Sequence, residues 1–299
     1  MTAVFKGVFP PVPTIVNEQG ELDRPGMARM LDHVIANGAD GVLILGSGGE
    51  FCHLSNCQRK EIAEFCLQHI KGRVPVLMGI ACAGTAETIE LGLHAQQHGA
   101  DGVLVVNPYY AKLSDEARYT HYKRVADALN TPVFLYNFPE LTGQDIGIEV
   151  ITRLARDVPN IVGIKDTIDN ISHTREIINR VHAFRPDFII FSGYDEYMLD
   201  TLLLGGHGGI PATFNFAPQI TRGIYQAFLD GDMTSAGLYQ KQLARLSPLY
   251  ALEQPFFGVI KAAINLSGLD ISTAVVPPAL PLNAEKTEYV KNVLARISQ

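Results

Sequence analysis

The chain reads as an α/β protein of the (β/α)₈ barrel class with a helical C-terminal extension. Three observations predict this: eight short apolar runs separated by amphipathic segments, an internal repeat spanning two strand–helix units, and helix-only patterning after about Pro218. The runs are Val8–Pro10, Gly41–Gly46, Pro75–Gly79, Gly102–Pro108, Pro132–Phe138, Ile161–Asp166, Phe188–Gly193 and Gly209–Ala212. Each is too short for a buried helix, and most are rich in Val, Ile and Leu, as expected of parallel strands buried on both faces. Between them, Gln58–Ile70, Thr85–His98 and Asp115–Leu129 carry apolar residues at helical spacing. Eight such alternations favour a closed barrel over an open sheet.

The repeat is Asn37-Gly-Ala-Asp-Gly-Val-Leu, which returns as His98-Gly-Ala-Asp-Gly-Val-Leu, 61 residues later. Gly38 and Gly99 follow helical segments, where a C-terminal cap calls for a left-handed residue. The separation equals two β/α units of about 30 residues. After Ala212 come the helix that closes the barrel and then Thr234–Leu246, Pro255–Ser267 and Ala284–Ser298. The expected organisation is a catalytic barrel over residues 1–230 and an extension over 231–299. Chemistry in such barrels sits at the C-terminal strand ends. Gly205-Gly-His-Gly-Gly209 precedes a strand and therefore reads as a tight helix-to-strand turn on the opposite face, not a phosphate cradle.

The 299 residues are 47% hydrophobic and 18% charged, which supports a large core and no disorder. A net charge of −7 without a basic run argues against nucleic acid or an anionic membrane as partner. Met1 to Gly7 shows no basic segment leading into an apolar one, and no apolar run approaches the ~20 residues of a membrane span. A cytoplasmic protein is expected. Cys52, Cys57, Cys66 and Cys82 form no Cys-x-x-Cys pair and read as reduced thiols packed as small hydrophobes rather than metal ligands.

Lys165 is the first candidate for chemistry. Of the ten lysines, nine look like surface or helix residues, whereas Lys165 ends the apolar strand Ile161-Val-Gly-Ile-Lys165-Asp166. Alternation puts Ile161, Gly163 and Lys165 on one face, with Gly163 leaving room beneath the amine. Desolvation there would disfavour the ammonium form and favour attack on a ketone. The alternative is an interior lysine paired with a carboxylate, Asp166 being nearest in sequence. Gly46-Ser-Gly-Gly-Glu50 ends the second strand, where small residues let backbone N–H groups converge on an anion; a plain tight turn would look the same. Neither a P-loop nor a dinucleotide fingerprint is present. Tyr136-Asn-Phe-Pro139 and Asn107-Pro-Tyr-Tyr110 end the fifth and fourth strands. A phenol at such a position can move a proton or simply pack. There is no Gly-x-Ser-x-Gly elbow and no His-Glu-x-x-His, and the nine histidines read as surface or interhelix residues.

Together, Gly46-Ser-Gly-Gly-Glu50, Tyr136-Asn-Phe-Pro139, Gly163-Ile-Lys165 and Gly193-Tyr-Asp195 resemble the signature of the dihydrodipicolinate synthase/N-acetylneuraminate lyase family. The resemblance spans essentially the whole chain. The longer strings, including Leu45–Phe51, Leu141-Thr-Gly-Gln-Asp145, Gly163–Asp169 and Asn215-Phe-Ala-Pro-Gln219, resemble the 2-keto-3-deoxygluconate and 2-keto-3-deoxypentonate aldolases. The resemblance implies Lys165 as the Schiff-base lysine and Tyr136 as the proton-transferring phenol. It also implies Ser47 and Gly48 as donors to the pyruvate carboxylate, and Tyr110 as a residue relaying protons with Ser47 in a neighbouring subunit's site. At least a dimer, and a homotetramer by expectation, follows. Thr167, Gly193, Asp195, Glu196 and Ile210 complete the expected substrate-binding set.

Two departures bear on the substrate. Where family members commonly carry two hydroxyl residues, this chain has Ser47 and then Gly48. Dihydrodipicolinate synthases also resemble one another in an arginine after the Tyr-Asn-x-Pro motif, and here Leu141 stands there. The expected reaction is therefore cofactor-free, metal-free aldol cleavage of a 2-keto-3-deoxy sugar acid to pyruvate and an aldehyde. N-acetylneuraminate lyase is the nearest alternative, because Gly193-Tyr-Asp-Glu196 also resembles that group, and a non-catalytic sugar-acid-binding barrel lies further off.

Overall fold

The computed structural model describes residues 5–297; Met1–Val4 and Ser298–Gln299, including the expected last residue of the final helix, lie outside the described residues. Strands and helices alternate as β1 (Gly7–Val8), α1 (Arg24–Ala36), β2 (Val42–Ile44), α2 (Asn56–Ile70), β3 (Val76–Gly79), α3 (Thr85–Gln97), β4 (Gly102–Val106) and α4 (Asp115–Asp127). They continue as β5 (Val133–Asn137), α5 (Pro139–Thr142), α6 (Ile148–Asp157), β6 (Ile161–Asp166), α7 (Ile171–His182), β7 (Ile189–Ser192), α8 (Met198–Leu203) and β8 (Gly208–Gly209). Helices α9 (Pro218–Asp230), α10 (Met233–Ala244), α11 (Phe257–Leu266) and α12 (Ala284–Ala295) follow. The strand order is β1-β8-β7-β6-β5-β4-β3-β2, the order of the expected (β/α)₈ barrel. No helix among the described residues is long and apolar enough to cross a membrane.

The chain forms two compact units, one comprising the segment through Gly7 with Pro75–Ile210 and the other Val8–Val74 with Pro211 onward. In the first, parallel ladders run from β3 to β8, with Tyr136 opposite Lys165 and Lys165 opposite Phe191. Ser114 caps α4 by accepting from the Ala117 amide, and Asn170 caps α7 by accepting from Ser172. In the second unit, Ser55 and Gln58 form a reciprocal capping box at the start of α2. The segment after β1 lies beside β2 through a parallel bridge between Pro11 and Leu43.

The sequence repeat has a structural role in each unit. Gly38 and Gly99 both adopt positive φ, 82° and 89°, as the cap reading required. The repeated aspartate performs one task twice: Asp40 accepts from the Val8 amide at 2.9 Å, and Asp101 accepts from the Val76 amide at 2.8 Å. Each carboxylate thus ties its own strand entrance to the neighbouring strand.

Several boundaries move. The first strand starts at Gly7 rather than Val8, and the last lies at Gly208–Gly209, inside the glycine run, rather than at Gly209–Ala212. Close backbone approach explains this, because a Cβ on Gly208 would sit 1.9 Å from the Gly7 carbonyl oxygen. Cys66 and Cys82 are buried as expected, but Cys52 and Cys57 are exposed. Lys261 is fully buried, so nine ordinary lysines was one too many.

Candidate active site

Strands β5 and β6 bring the two leading candidates together. Lys165 and Tyr136 are opposite residues in the ladder, 5% and 2% exposed, and the lysine Nζ donates to the tyrosine Oη at 3.2 Å. The amine also lies 4.3 Å from the Tyr136 ring centroid. One turn of the alternation below, the space that Gly163 leaves is filled: a Cβ there would meet the Phe134 ring at 2.7 Å and the Ile189 carbonyl at 2.6 Å. Phe134 packs edge-on against Phe5 and stacks with Phe191. The glycine therefore admits an aromatic floor beneath the amine rather than open space. An amine and a phenol hydroxyl in contact, shielded from water, supply a nucleophile and a group able to move a proton.

The alternative pairing of Lys165 with Asp166 does not occur. Asp166 points away and accepts from Asn137 Nδ2 at 3.0 Å, His173 Nδ1 at 2.9 Å and Thr174 Oγ1 at 2.7 Å. His173 Nε2 faces Asp145 at 3.4 Å. Burial by itself would lower the pKa of His173, but Asp145 and Asp166 outweigh it and raise it to about 10. Burial opposes a low pKa for Asp145, yet His173 holds that carboxyl below its ordinary value. His173 was read from sequence as a surface or interhelix histidine; it is instead a buried cation behind the strand ends that carry Lys165 and Tyr136.

The rim beyond β6 to β8 holds most of the expected substrate set. Thr167 is buried, and among the described residues its Oγ1 has no hydrogen-bond partner. Gly193 exists to accommodate it, since a Cβ there would lie 1.7 Å from that oxygen. Asp195 is buried and Glu196 half-buried on a 3₁₀ turn, Asp195–Tyr197, while Ile210 is buried just past β8 with its amide on the Ser192 carbonyl. The turn is pinned by phenols: Tyr194 donates to Glu140 at 2.9 Å and Tyr197 donates to Asp169 at 2.5 Å. The bond to Asp169 and burial push Tyr197 up to about 12. Leu141, on α5, is exposed.

Tyr110 is fully exposed and left-handed, with φ of 75°, on the loop after β4. It does not join Lys165 and Tyr136 within the chain. Its loop is held by Gln144, which donates to the Pro108 carbonyl at 2.8 Å and accepts from the Leu113 amide and Arg118. Gln144 was recognised only as part of a family string. In the second unit, Ser47 is buried at the start of a 3₁₀ turn, Ser47–Gly49, and Gly48 is partly exposed. Within the turn the Gly49 amide donates to the Gly46 carbonyl at 2.9 Å and the Glu50 amide to the Ser47 carbonyl at 3.0 Å. Left-handed Leu45 and Glu50, with φ of 57° and 59°, flank the turn.

Residues 4–297 match the dihydrodipicolinate synthetase family model. YagE of Escherichia coli (strain K12), to which 2-dehydro-3-deoxy-D-gluconate aldolase activity is ascribed, is 46% identical over 296 residues, covering 99% of this chain and 98% of that one. YjhH of the same organism, to which 2-dehydro-3-deoxy-D-pentonate aldolase activity is ascribed, is 44% identical over 290 residues, with 97% and 96% covered. The crystal structure of YagE in complex with pyruvate superposes with a TM-score of 0.97 over 99% of each chain. Dihydrodipicolinate synthase from Thermotoga maritima gives 0.93 at 30% identity, with 98% of this chain and 99% of that one covered.

Proposed function

The chain belongs to the dihydrodipicolinate synthetase family, and from that premise we propose a class I aldolase that cleaves a 2-keto-3-deoxy sugar acid to pyruvate and an aldehyde. The observation that carries the chemistry is the contact of Lys165 Nζ with Tyr136 Oη. The lysine amine adds to the C2 ketone and water leaves, giving an iminium. Tyr136 takes the C4 hydroxyl proton, the C3–C4 bond breaks, and its electron pair enters the iminium as an enamine while the aldehyde departs. Protonation at C3 and hydrolysis then release pyruvate and restore the amine. Protein groups and water balance every step.

Ser47 and Gly48 are assigned to the pyruvate carboxylate, and Thr167, Gly193, Asp195, Glu196 and Ile210 to the remainder of the substrate. The pyruvate complex of YagE supports a keto-acid ligand for this fold. The polar tail is assigned as neutral. Leu141 offers no charge, and Glu140, Asp169, Asp195 and Glu196 give the rim an acidic character that disfavours a second anion. The catalytic barrel is assigned to residues 1–230, the extension to 231–299, and the assembly to a homotetramer in which Tyr110 serves a neighbouring site.

A panel of 2-keto-3-deoxy acids from five to nine carbons, followed by pyruvate release, tests this. Release from the five- or six-carbon acid, with negligible condensation of pyruvate and aspartate semialdehyde, is the expected result. Robust condensation would overturn the assignment, and preference for N-acetylneuraminate would replace it with the lyase.

A further inference from the structure

Lys261 is the second lysine buried in this chain, and nothing in the aldol mechanism uses it. It lies on α11, 0% exposed, with its Nζ 2.5 Å from Glu50 Oε1 and donating to the Ala274 carbonyl at 2.6 Å. Glu50 is also 0% exposed, and its Oε2 accepts from the Val276 amide at 2.7 Å. Burial lowers the pKa of Lys261 while Glu50 opposes that effect. With its ammonium engaged on two sides, Lys261 is not placed to be a rival nucleophile.

The location of the pair matters more than its charge. Glu50 is the residue after Ser47-Gly48-Gly49 and the left-handed end of their turn; its amide donates to the Ser47 carbonyl at 3.0 Å. A glutamate in that left-handed conformation is costly, and the contacts of its buried side chain help to offset that cost. Both carboxylate oxygens are fixed, one by a charge on α11 and one by the backbone of the segment after it. His53, three residues beyond Glu50, contacts the Val276 carbonyl at 3.1 Å, and Thr14 donates to the Gly49 carbonyl at 2.7 Å. The turn is therefore anchored from three directions within its own unit.

We infer that Glu50 and Lys261 are positioning residues for the Ser47–Gly48 turn, through which the C-terminal helical segment sets the affinity of the site for the carboxylate of a 2-keto acid. This rests on the assignment of Ser47 and Gly48 to that carboxylate. A buried ion pair is a poor source of net stability, and neutral residues of similar size often replace one without loss. Removing a single partner leaves an unpaired charge. Retaining both charges in an enclosed place is thus better explained by geometry imposed on the turn than by stability.

The test is borohydride trapping of the Lys165–pyruvate adduct across a pyruvate titration in the unmodified protein, Glu50→Asp and the double variant Glu50→Gln/Lys261→Met. Glu50→Asp keeps the core neutral and shortens the reach by one methylene; the double variant removes both charges. In both, the half-saturating pyruvate concentration is expected to rise about tenfold or more, while saturating pyruvate still labels Lys165. A loss of folded protein would reduce labelling without moving that concentration. An unchanged half-saturating concentration in either variant overturns the positioning role while leaving the aldolase reading intact. Labelling of Lys261 in the unmodified protein also overturns it. No labelling of the unmodified protein at all would remove the aldolase reading, and this inference with it.

Discussion

Tyr136 and Thr167 make separable contributions that single-atom changes expose. Tyr136→Phe removes only the hydroxyl that Lys165 contacts. Cleavage is expected to fall by about 10²–10⁴-fold, the usual worth of a positioned proton-transfer group, with pyruvate labelling of Lys165 retained. Near-normal cleavage, measured by steady-state pyruvate release, would reduce Tyr136 to packing. Thr167 presents the opposite case, a buried hydroxyl without a partner among the described residues. An unsatisfied group of this kind costs about 1–3 kcal/mol in the unliganded protein. Thr167→Val keeps the shape, so the unliganded variant is expected to be as stable as the parent or more so in urea, while KM for the sugar acid rises. A variant less stable with an unchanged KM would show that the hydroxyl serves the fold.

Among the elements, the ends of β5 and β6 are held together by more than their ladder. Asn137 bridges to Asp166, and His173 on α7 lies between Asp166 and Asp145. The folded pKa of His173, about 10, exceeds the value of about 6.5 expected of an unfolded chain. The folded protein therefore holds the proton more tightly. Its contribution to stability is complete below pH 6.5, declines as pH rises, and is gone above pH 10. Urea unfolding across that window is expected to show falling stability, and His173→Asn to flatten the slope. A slope unchanged by the substitution would remove His173 as its source. This network was not legible in the sequence. Asn137, Asp145, Asp166 and His173 are scattered over 37 positions and meet only through strand register. Lys261 was missed for the same reason, since its partner Glu50 is more than 200 residues away. The strand carrying Lys165 was legible because alternation and an abrupt polar end are local signals. The aromatic floor was not, because Gly163 says only that a side chain is missing, not that Phe134 fills the place.

At the scale of the whole molecule, the barrel class was readable from alternation and from the 61-residue repeat. Boundaries at β1 and β8 were not, because backbone proximity set them. Assembly follows from the proposal for Tyr110, whose fully exposed ring stands on a left-handed backbone while Gln144 braces its loop. An aromatic held in so costly a conformation has a purpose outside its own chain on this reading. Sedimentation is expected to give a tetramer, and Tyr110→Phe to lower turnover while leaving pyruvate labelling in place. A fully active monomer at assay concentration would contradict the shared site. The central claim, however, concerns one nitrogen. Incubation with pyruvate and borohydride, followed by intact-mass measurement and peptide mapping, tests it most directly. The account predicts a single reduced pyruvate adduct on Lys165, abolished together with cleavage in Lys165→Ala; an adduct on any other lysine, or cleavage surviving that substitution, would contradict it.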